Sequence, residues 1–152
     1  MTASQRDRLR SGLPLIPRWL RVLLAVAVIS ALVYFSIRPP PGTGSRSYGP
    51  LAMVPLAMWL HVTGYMGLSI VLGYATHDVA RPDWQLMLGV FVVTIGIGAT
   101  VELIQLQLPS RTFSTLDIGL NALGAAIGIV LFYTVEWLLR RYRLSRHSPP
   151  PL

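Results

Sequence analysis

The chain has 152 residues, of which 53% are hydrophobic and only 12% are charged. A soluble domain carries about 25% charged residues, so this composition excludes an ordinary soluble globular protein and favours a membrane protein. The net charge of +7 reflects 13 basic residues, all arginine. Most of them lie beside apolar runs and not on a polar face with interleaved aromatics, which argues against nucleic-acid binding. The chain has no cysteine, so disulfides and thiolate metal sites are excluded.

Four apolar segments are each long enough to cross a hydrocarbon core of about 30 Å as an α-helix. They cover residues 19–37, 51–75, 84–106 and 116–139. The basic start and the first apolar run resemble a signal peptide, but no A-x-A-like cleavage site follows, which favours an uncleaved span. No period-two alternation suggests a β-barrel. The sequence therefore predicts an all-α fold, an integral membrane bundle of four transmembrane helices.

The distribution of arginine predicts the orientation of these spans. Ten arginines flank the side that holds the N-terminus, the loop at residues 76–83 and the C-terminus, and three flank the other side. By the positive-inside rule, both termini lie in the cytoplasm of a multi-pass protein of the cell membrane. The predicted parts are a basic tail at residues 1–18, the transmembrane domain at residues 19–139, and a basic, proline-ending tail at residues 140–152.

Polar residues in and beside the spans are the candidate functional residues, because an ionisable side chain that faces lipid costs several kcal/mol. The spacing places them near the predicted outer side of the second, third and fourth spans. The candidate catalytic residues are His61, Glu102 and Asp117. The candidate binding residues are Gln105, Asn121, Ser114 and Arg111, the last two in the loop before the fourth span.

Glycines share helix faces with these polar residues and predict close helix packing. Gly124 and Gly128 form a GxxxG pair on the face of Asp117, which is typical of helices that approach each other closely. Gly98 and Gly64 lie on the faces of the polar residues in the third and second spans. The three stripes are predicted to face each other and to enclose a small polar pocket near the outer leaflet.

Each candidate also has a structural interpretation. Ser114 and Asp117 match a capping box that would begin the fourth helix. Glu102 and Arg111 are placed for an ion pair between the third span and its loop, while His61 and the asparagine of the fourth span suit interhelical hydrogen bonds. His61, Glu102 and Asp117 are acceptable metal ligands, but their spacing is not diagnostic, so the sequence predicts neither a metal nor another cofactor.

The polar residues at the opposite side look routine in the sequence. Arg21 is close enough to the end of its span to snorkel to the surface. Asp78 falls in a solvated loop, and Glu136 and Arg140 form an i,i+4 pair near the end of the fourth span. The sequence thus predicts one notable polar cluster, on the outer side, and a wholly apolar opposite half.

A longer pattern runs through residues 102–128: Glu-x-x-Gln, Pro-x-Arg, Ser-x-x-Asp-x-x-x-Asn and Gly-x-x-x-Gly. This pattern resembles the VanZ-like family of membrane proteins, and the four-span layout extends the similarity over about residues 20–140. His61 and Tyr65 in the second span also fit, whereas Ala57 and Met58 stand where the family commonly has an Asp-Lys pair. The family is named for a member associated with teicoplanin resistance. The resemblance implies a cell-envelope protein and leaves a resistance-like role open.

Three functional hypotheses follow, in this order. The first is a non-catalytic binding or accessory protein whose Arg111 meets the anionic head group of an amphiphile or a lipid-linked envelope component. The second is an enzyme for a lipid-linked substrate, with Glu102 as acid, Asp117 as base and His61 as proton relay. The third is an ion-coupled transporter component, which would need oligomerisation. Membrane lipids are the expected partners, and a homo-oligomer is compatible with the sequence.

Overall fold

A computed structural model describes residues 13, 16–37, 54–108 and 114–146. Within these ranges the chain forms four α-helices: α1 (Arg18–Ser36), α2 (Leu56–Thr76), α3 (Asp83–Gln105) and α4 (Thr115–Arg146). All four are long and apolar enough to cross a membrane. The predicted all-α bundle of four spans is confirmed, whereas the cytoplasmic placement of the termini stays a prediction. Residues 1–12, 14, 15 and 147–152 of the predicted tails lie outside the described residues.

Prolines fix where three of the helices begin. Pro17, Pro55 and Pro82 directly precede α1, α2 and α3. Proline lacks an N–H group and holds φ near −65°, so it fits a helix start and not a helix interior. The second helix was predicted from residue 51 and instead begins after Pro55, with residues 51–53 outside the described part. α4 continues to Arg146, past residue 139, because its last residues are good helix formers.

The helices alternate in direction, as contacts between their ends show. Arg21 at the start of α1 bonds to the carbonyl of Tyr74 at the end of α2. Gln105 at the end of α3 bonds to the carbonyl of Ser36 at the end of α1. We call the end with the start of α1, the α2–α3 loop and the end of α4 the termini end. The distal end holds the end of α1, the start of α2, the end of α3 and the start of α4.

The closest helix contact is the seam between α2 and α4. A Cβ atom on Gly124 would collide with the carbonyl of Val62, and one on Gly128 would collide with the Ser69 hydroxyl and the carbonyl of Met66. The GxxxG pair therefore brings α4 against the backbone of α2. Because both helices carry polar residues at each end, this seam determines which of those residues meet.

The outward faces of the bundle are apolar, as a lipid-facing surface requires. Large hydrophobic side chains such as Trp19, Phe35 and Val92 are more than half exposed. In α1 the buried side chains are Arg21 and Ala25. This helix therefore has mostly lipid-facing residues, and polar bonds near its two ends attach it to α2, to the loop that follows α2, and to α3.

Candidate functional site

The distal end brings together polar residues from α2 and α4. Nδ1 of His61 lies 2.8 Å from Oδ1 of Asn121, and Nε2 of His61 lies 3.8 Å from Oδ2 of Asp117. A carboxamide oxygen only accepts hydrogen bonds, so Nδ1 of His61 donates to Asn121, and Nε2 faces the carboxylate of Asp117. The side chains of His61 and Asp117 are 16% and 27% exposed, which leaves this face accessible. We call these three residues the distal cluster.

Glu102 reaches the start of α4 and changes how that helix is capped. Ser114 Oγ accepts a hydrogen bond from the Asp117 N–H at 3.2 Å, which is one half of the predicted capping box. The other half would be a bond from the Ser114 N–H to Asp117, but that N–H donates to Oε1 of Glu102 at 2.7 Å. Glu102 therefore supplies the second bond of the helix cap in place of Asp117, and the Asp117 carboxylate can face His61.

Gln105 lies one turn from Glu102 and holds α1. Its Nε2 donates to the carbonyl of Ser36 at 2.8 Å, and the residue is only 5% exposed. That carbonyl belongs to the last turn of α1, where it has no partner within the helix. The described contact of this candidate binding residue thus joins α3 to α1.

Tyr65 is a residue of this site that the polar spacing alone did not include. Its ring stacks on His61, with the ring planes 6° apart and the centroids 6.5 Å apart. A Cβ atom on Gly98 would lie 2.9 Å from Nδ2 of Asn121 and 3.1 Å from Cε1 of Tyr65. Gly98 thus makes room for both side chains. The position of Tyr65 one turn after a histidine in a span was the available signal.

Two predicted features of the site remain open. Arg111 lies outside the described residues, so its predicted contacts with Glu102 and with an anionic head group stay predictions. Within the described ranges, no three His, Asp or Glu side chains are close enough to hold a metal ion together.

The termini end contains a second polar cluster, which the sequence analysis did not predict. Arg21 is 2% exposed and does not snorkel. Its guanidinium lies 2.5 Å from Oδ2 of Asp78 and donates to the carbonyl of Tyr74 at 3.0 Å. Asp78 is therefore an ion-pair partner and not merely a solvated loop residue. The guanidinium holds the pKa of this carboxyl below its usual range.

Glu136 completes this termini cluster from α4. The predicted pair with Arg140 forms, but Glu136 is 2% exposed and also lies 3.6 Å from Nε2 of His77. Burial lowers the pKa of His77. The half of the bundle that was predicted to be wholly apolar thus contains buried charges. The signal that sequence reasoning did not use was an arginine about one turn after the start of α1 and a glutamate about one turn before residue 139, the predicted end of the fourth span.

Comparisons with known proteins agree with the motif and the fold. No curated protein and no solved structure matches the chain. The family model for VanZ/LLP1 matches residues 22–139, a range that contains most of each helix, the distal cluster, and His77, Asp78 and Glu136 of the termini cluster. The chain therefore belongs to the VanZ/LLP1 family.

Proposed function

We propose that this protein has a non-catalytic binding or accessory role at the cell envelope. Its distal cluster would bind the polar head group of an amphiphile or of a lipid-linked envelope component. The observation that supports this most directly is the partly exposed His61, which lies between Asn121 and Asp117. The site combines donors and acceptors at the edge of an apolar bundle, which suits a ligand with a polar head and a hydrocarbon tail.

The contacts of the two carboxylates favour binding over acid–base catalysis. A carboxylate pair for that chemistry needs two groups that can exchange protons with a substrate. Glu102 is 2% exposed and accepts the N–H at the start of α4, so it has a structural task. Asp117 and His61 remain accessible and can orient a ligand. The enzyme hypothesis is kept as the alternative, with Glu102 as acid, Asp117 as base and His61 as proton relay.

The orientation that this proposal needs can be tested by labelling, since the native chain has no cysteine. We would make Ser110→Cys and Ala80→Cys separately and treat intact cells with a membrane-impermeant thiol reagent. In the sequence Ser110 lies between the end of α3 and the start of α4, and Ala80 is exposed in the α2–α3 loop. We expect position 110 to react and position 80 to be protected. The reverse pattern would place the distal cluster in the cytoplasm and would contradict an envelope ligand.

Ligand binding can be tested with nanodiscs that contain phosphatidylethanolamine and one added lipid. Native mass spectrometry of the released protein would count the lipids that stay bound. We expect Asp117→Asn and His61→Gln to weaken retention of a bound lipid about tenfold or more, since each removes a contact to a polar head group. Glu136→Gln is the matched control, because it changes the other histidine–carboxylate pair, at the termini end.

Retention that is equal in the wild type and in both distal variants, for every lipid tested, would rule out this binding role. Retention that falls as much in Glu136→Gln would show a general loss of structure. Thermal unfolding of each variant in detergent separates these outcomes, because a structural effect lowers the unfolding temperature in the absence of added lipid.

A further inference from the structure

Tyr65, whose ring lies against His61 of the distal cluster, carries a hydroxyl group that makes no hydrogen bond to the described residues. Tyr65 is 2% exposed, and within the described residues its hydroxyl has no hydrogen-bond partner. A buried hydroxyl without a partner costs about 1–3 kcal/mol, so each such group in a native protein calls for an explanation. The ring stacks on His61, so Tyr65 is a direct neighbour of the distal cluster.

A second hydroxyl lies one turn deeper on α3. Thr94 is fully buried, and its Oγ1 has no partner among the described residues. A threonine within a helix commonly bonds to the carbonyl four residues before it, as Thr100 does to Gly96 at 2.8 Å. Thr94 lacks this bond. It lies four residues before Gly98 and hence on the face that meets Tyr65.

The amide of Asn121 adds a donor at this place. Its oxygen is bonded to Nδ1 of His61, so its Nδ2 is the group that points toward α3. That nitrogen and the Tyr65 ring both lie within 3.1 Å of the position that a Cβ atom on Gly98 would occupy. Since any side chain at Gly98 would collide with them, the glycine is what lets the amide of Asn121 and the ring of Tyr65 pack directly against α3.

We propose that Tyr65, Thr94 and Asn121 form an inner subsite that binds an uncharged hydroxyl group of a lipid head group. This inference rests on the proposed binding function and specifies its ligand. The three groups are neutral, so they supply no counter-charge, and a buried ion without one carries a large desolvation cost. The nearby carboxylates of Glu102 and Asp117 further disfavour an anion. A hydroxyl both donates and accepts, as do the tyrosine and threonine hydroxyls, and it can accept from the amide.

The test compares lipids that differ in the head group alone. Nanodiscs of phosphatidylethanolamine would contain monoglucosyl diacylglycerol, diacylglycerol or phosphatidic acid, which offer sugar hydroxyls, one glycerol hydroxyl or a phosphate. We expect the two uncharged lipids to be retained in preference to phosphatidic acid. Comparison of the first two distinguishes a sugar from a glycerol as the source of the hydroxyl. Stronger retention of phosphatidic acid would overturn the proposal.

Tyr65→Phe and Thr94→Val remove one hydroxyl each and preserve the shape of the side chain. We expect each to weaken retention of the preferred uncharged lipid about three- to tenfold and to leave retention of phosphatidic acid unchanged. Thr100→Val is the matched control, since this exposed threonine on α3 faces away from the site. We expect it to retain lipid as the wild type does.

Stability without added lipid gives a second readout. Removal of an unpartnered buried hydroxyl leaves the unfolding temperature in detergent unchanged or raises it. A lower unfolding temperature with normal lipid retention would show a structural role and overturn the subsite. If Asp117→Asn weakens retention but Tyr65→Phe and Thr94→Val do not, the inner subsite alone is wrong. If none of the three variants affects retention, the proposed binding function is wrong as well.

Discussion

The two ends of the bundle contain the same kind of pair in different surroundings. At each end a histidine of the α2 segment meets a carboxylate of α4: His61 with Asp117 at 3.8 Å, and His77 with Glu136 at 3.6 Å. At the termini end the two side chains are only 5% and 3% exposed, whereas at the distal end they are 16% and 27% exposed. One pair is enclosed by protein, and the other remains open.

The two histidine–carboxylate pairs differ in the charged and polar side chains that surround them. At the termini end Arg140 bonds to Glu136, and Arg21 bonds to Asp78, so that buried charges of opposite sign compensate each other. At the distal end no arginine within the described ranges pairs with Asp117, the nearby carboxylate of Glu102 caps α4, and the hydroxyl of Tyr65 has no described partner. A compensated cluster stabilises a fold, whereas a partly satisfied one can take a ligand. The presence of a histidine–carboxylate pair does not by itself distinguish an end that stabilises the fold from an end that binds a ligand.

The largest effect is expected from breaking the compensated end. Asp78→Ala leaves the guanidinium of Arg21, which is 2% exposed, without its ionic partner. Loss of one member of a buried pair costs about 3–5 kcal/mol. Because Asp78 is partly exposed, we expect a loss of about 2–3 kcal/mol in the free energy of unfolding. Reversible unfolding in mixed detergent micelles would measure it.

A double-mutant cycle separates the ion pair from other effects. Arg21→Met with Asp78→Ala removes both charges, and we expect the double variant to be more stable than Asp78→Ala alone. Additive losses in the two single variants would show that the pair is not coupled. The corresponding change at the open end, Asp117→Asn, should cost less than about 1 kcal/mol, because this pair is partly exposed.

The sequence predicted much of the fold because that information is local. Four apolar runs of sufficient length and the prolines between them determine the spans, and Ser114 was recognisable as a helix cap. The GxxxG pair predicted a close contact, although not that its partner is the backbone around Val62 and Met66 on α2. Such one-dimensional patterns depend on residues within a few turns of each other.

The sequence did not show which polar groups share a depth and a face in the bundle. Arg21 and Asp78 are 57 residues apart, and their pairing depends on how α1 lies against the end of α2. Glu102 and Ser114 illustrate the same limit, since a carboxylate from α3 replaces the expected reciprocal bond of the capping box. Tyr65 was visible as a family feature, but its unpartnered hydroxyl is a property of the packed structure.

The next effect in size concerns the α2–α4 seam, which joins the two ends. In Gly128→Ala the new Cβ would collide with the Ser69 hydroxyl and the carbonyl of Met66, so the helices must separate. Overpacking of this kind costs about 1–3 kcal/mol. Gly96→Ala is the matched control, because a Cβ there would meet nothing within 4 Å, and we expect a change below about 1 kcal/mol.

Because both clusters depend on α2 and α4, the effect of Gly128→Ala should extend to both ends. We expect lower unfolding free energy together with weaker lipid retention at the distal end. Normal lipid retention in a clearly destabilised Gly128→Ala variant would show that the distal cluster is arranged independently of the seam.

The smallest expected effect is a pH dependence that arises at the termini end. Burial is the main cause that lowers the pKa of His77, with Arg140 and Arg21 acting in the same direction and Glu136 and Asp78 opposing them. The unfolded chain, with a histidine pKa of about 6.5, therefore binds a proton more readily than the folded protein. Stability should decrease as the pH falls below that value and approaches the lower pKa of the folded state.

The matched variant His77→Gln removes this titration and keeps a side chain that can bond to Glu136. We expect its unfolding temperature to change less between neutral and mildly acidic pH than that of the wild type.

Asp78 contributes stability over a different range of pH. Its lowered pKa gives stability above about pH 4, and this stability is lost as the pH falls through the pKa of the folded state. If the unfolding temperature of His77→Gln depends on pH near 6 as steeply as that of the wild type, the enclosed pair does not determine the acid response. The two ends of the bundle would then differ in exposure alone.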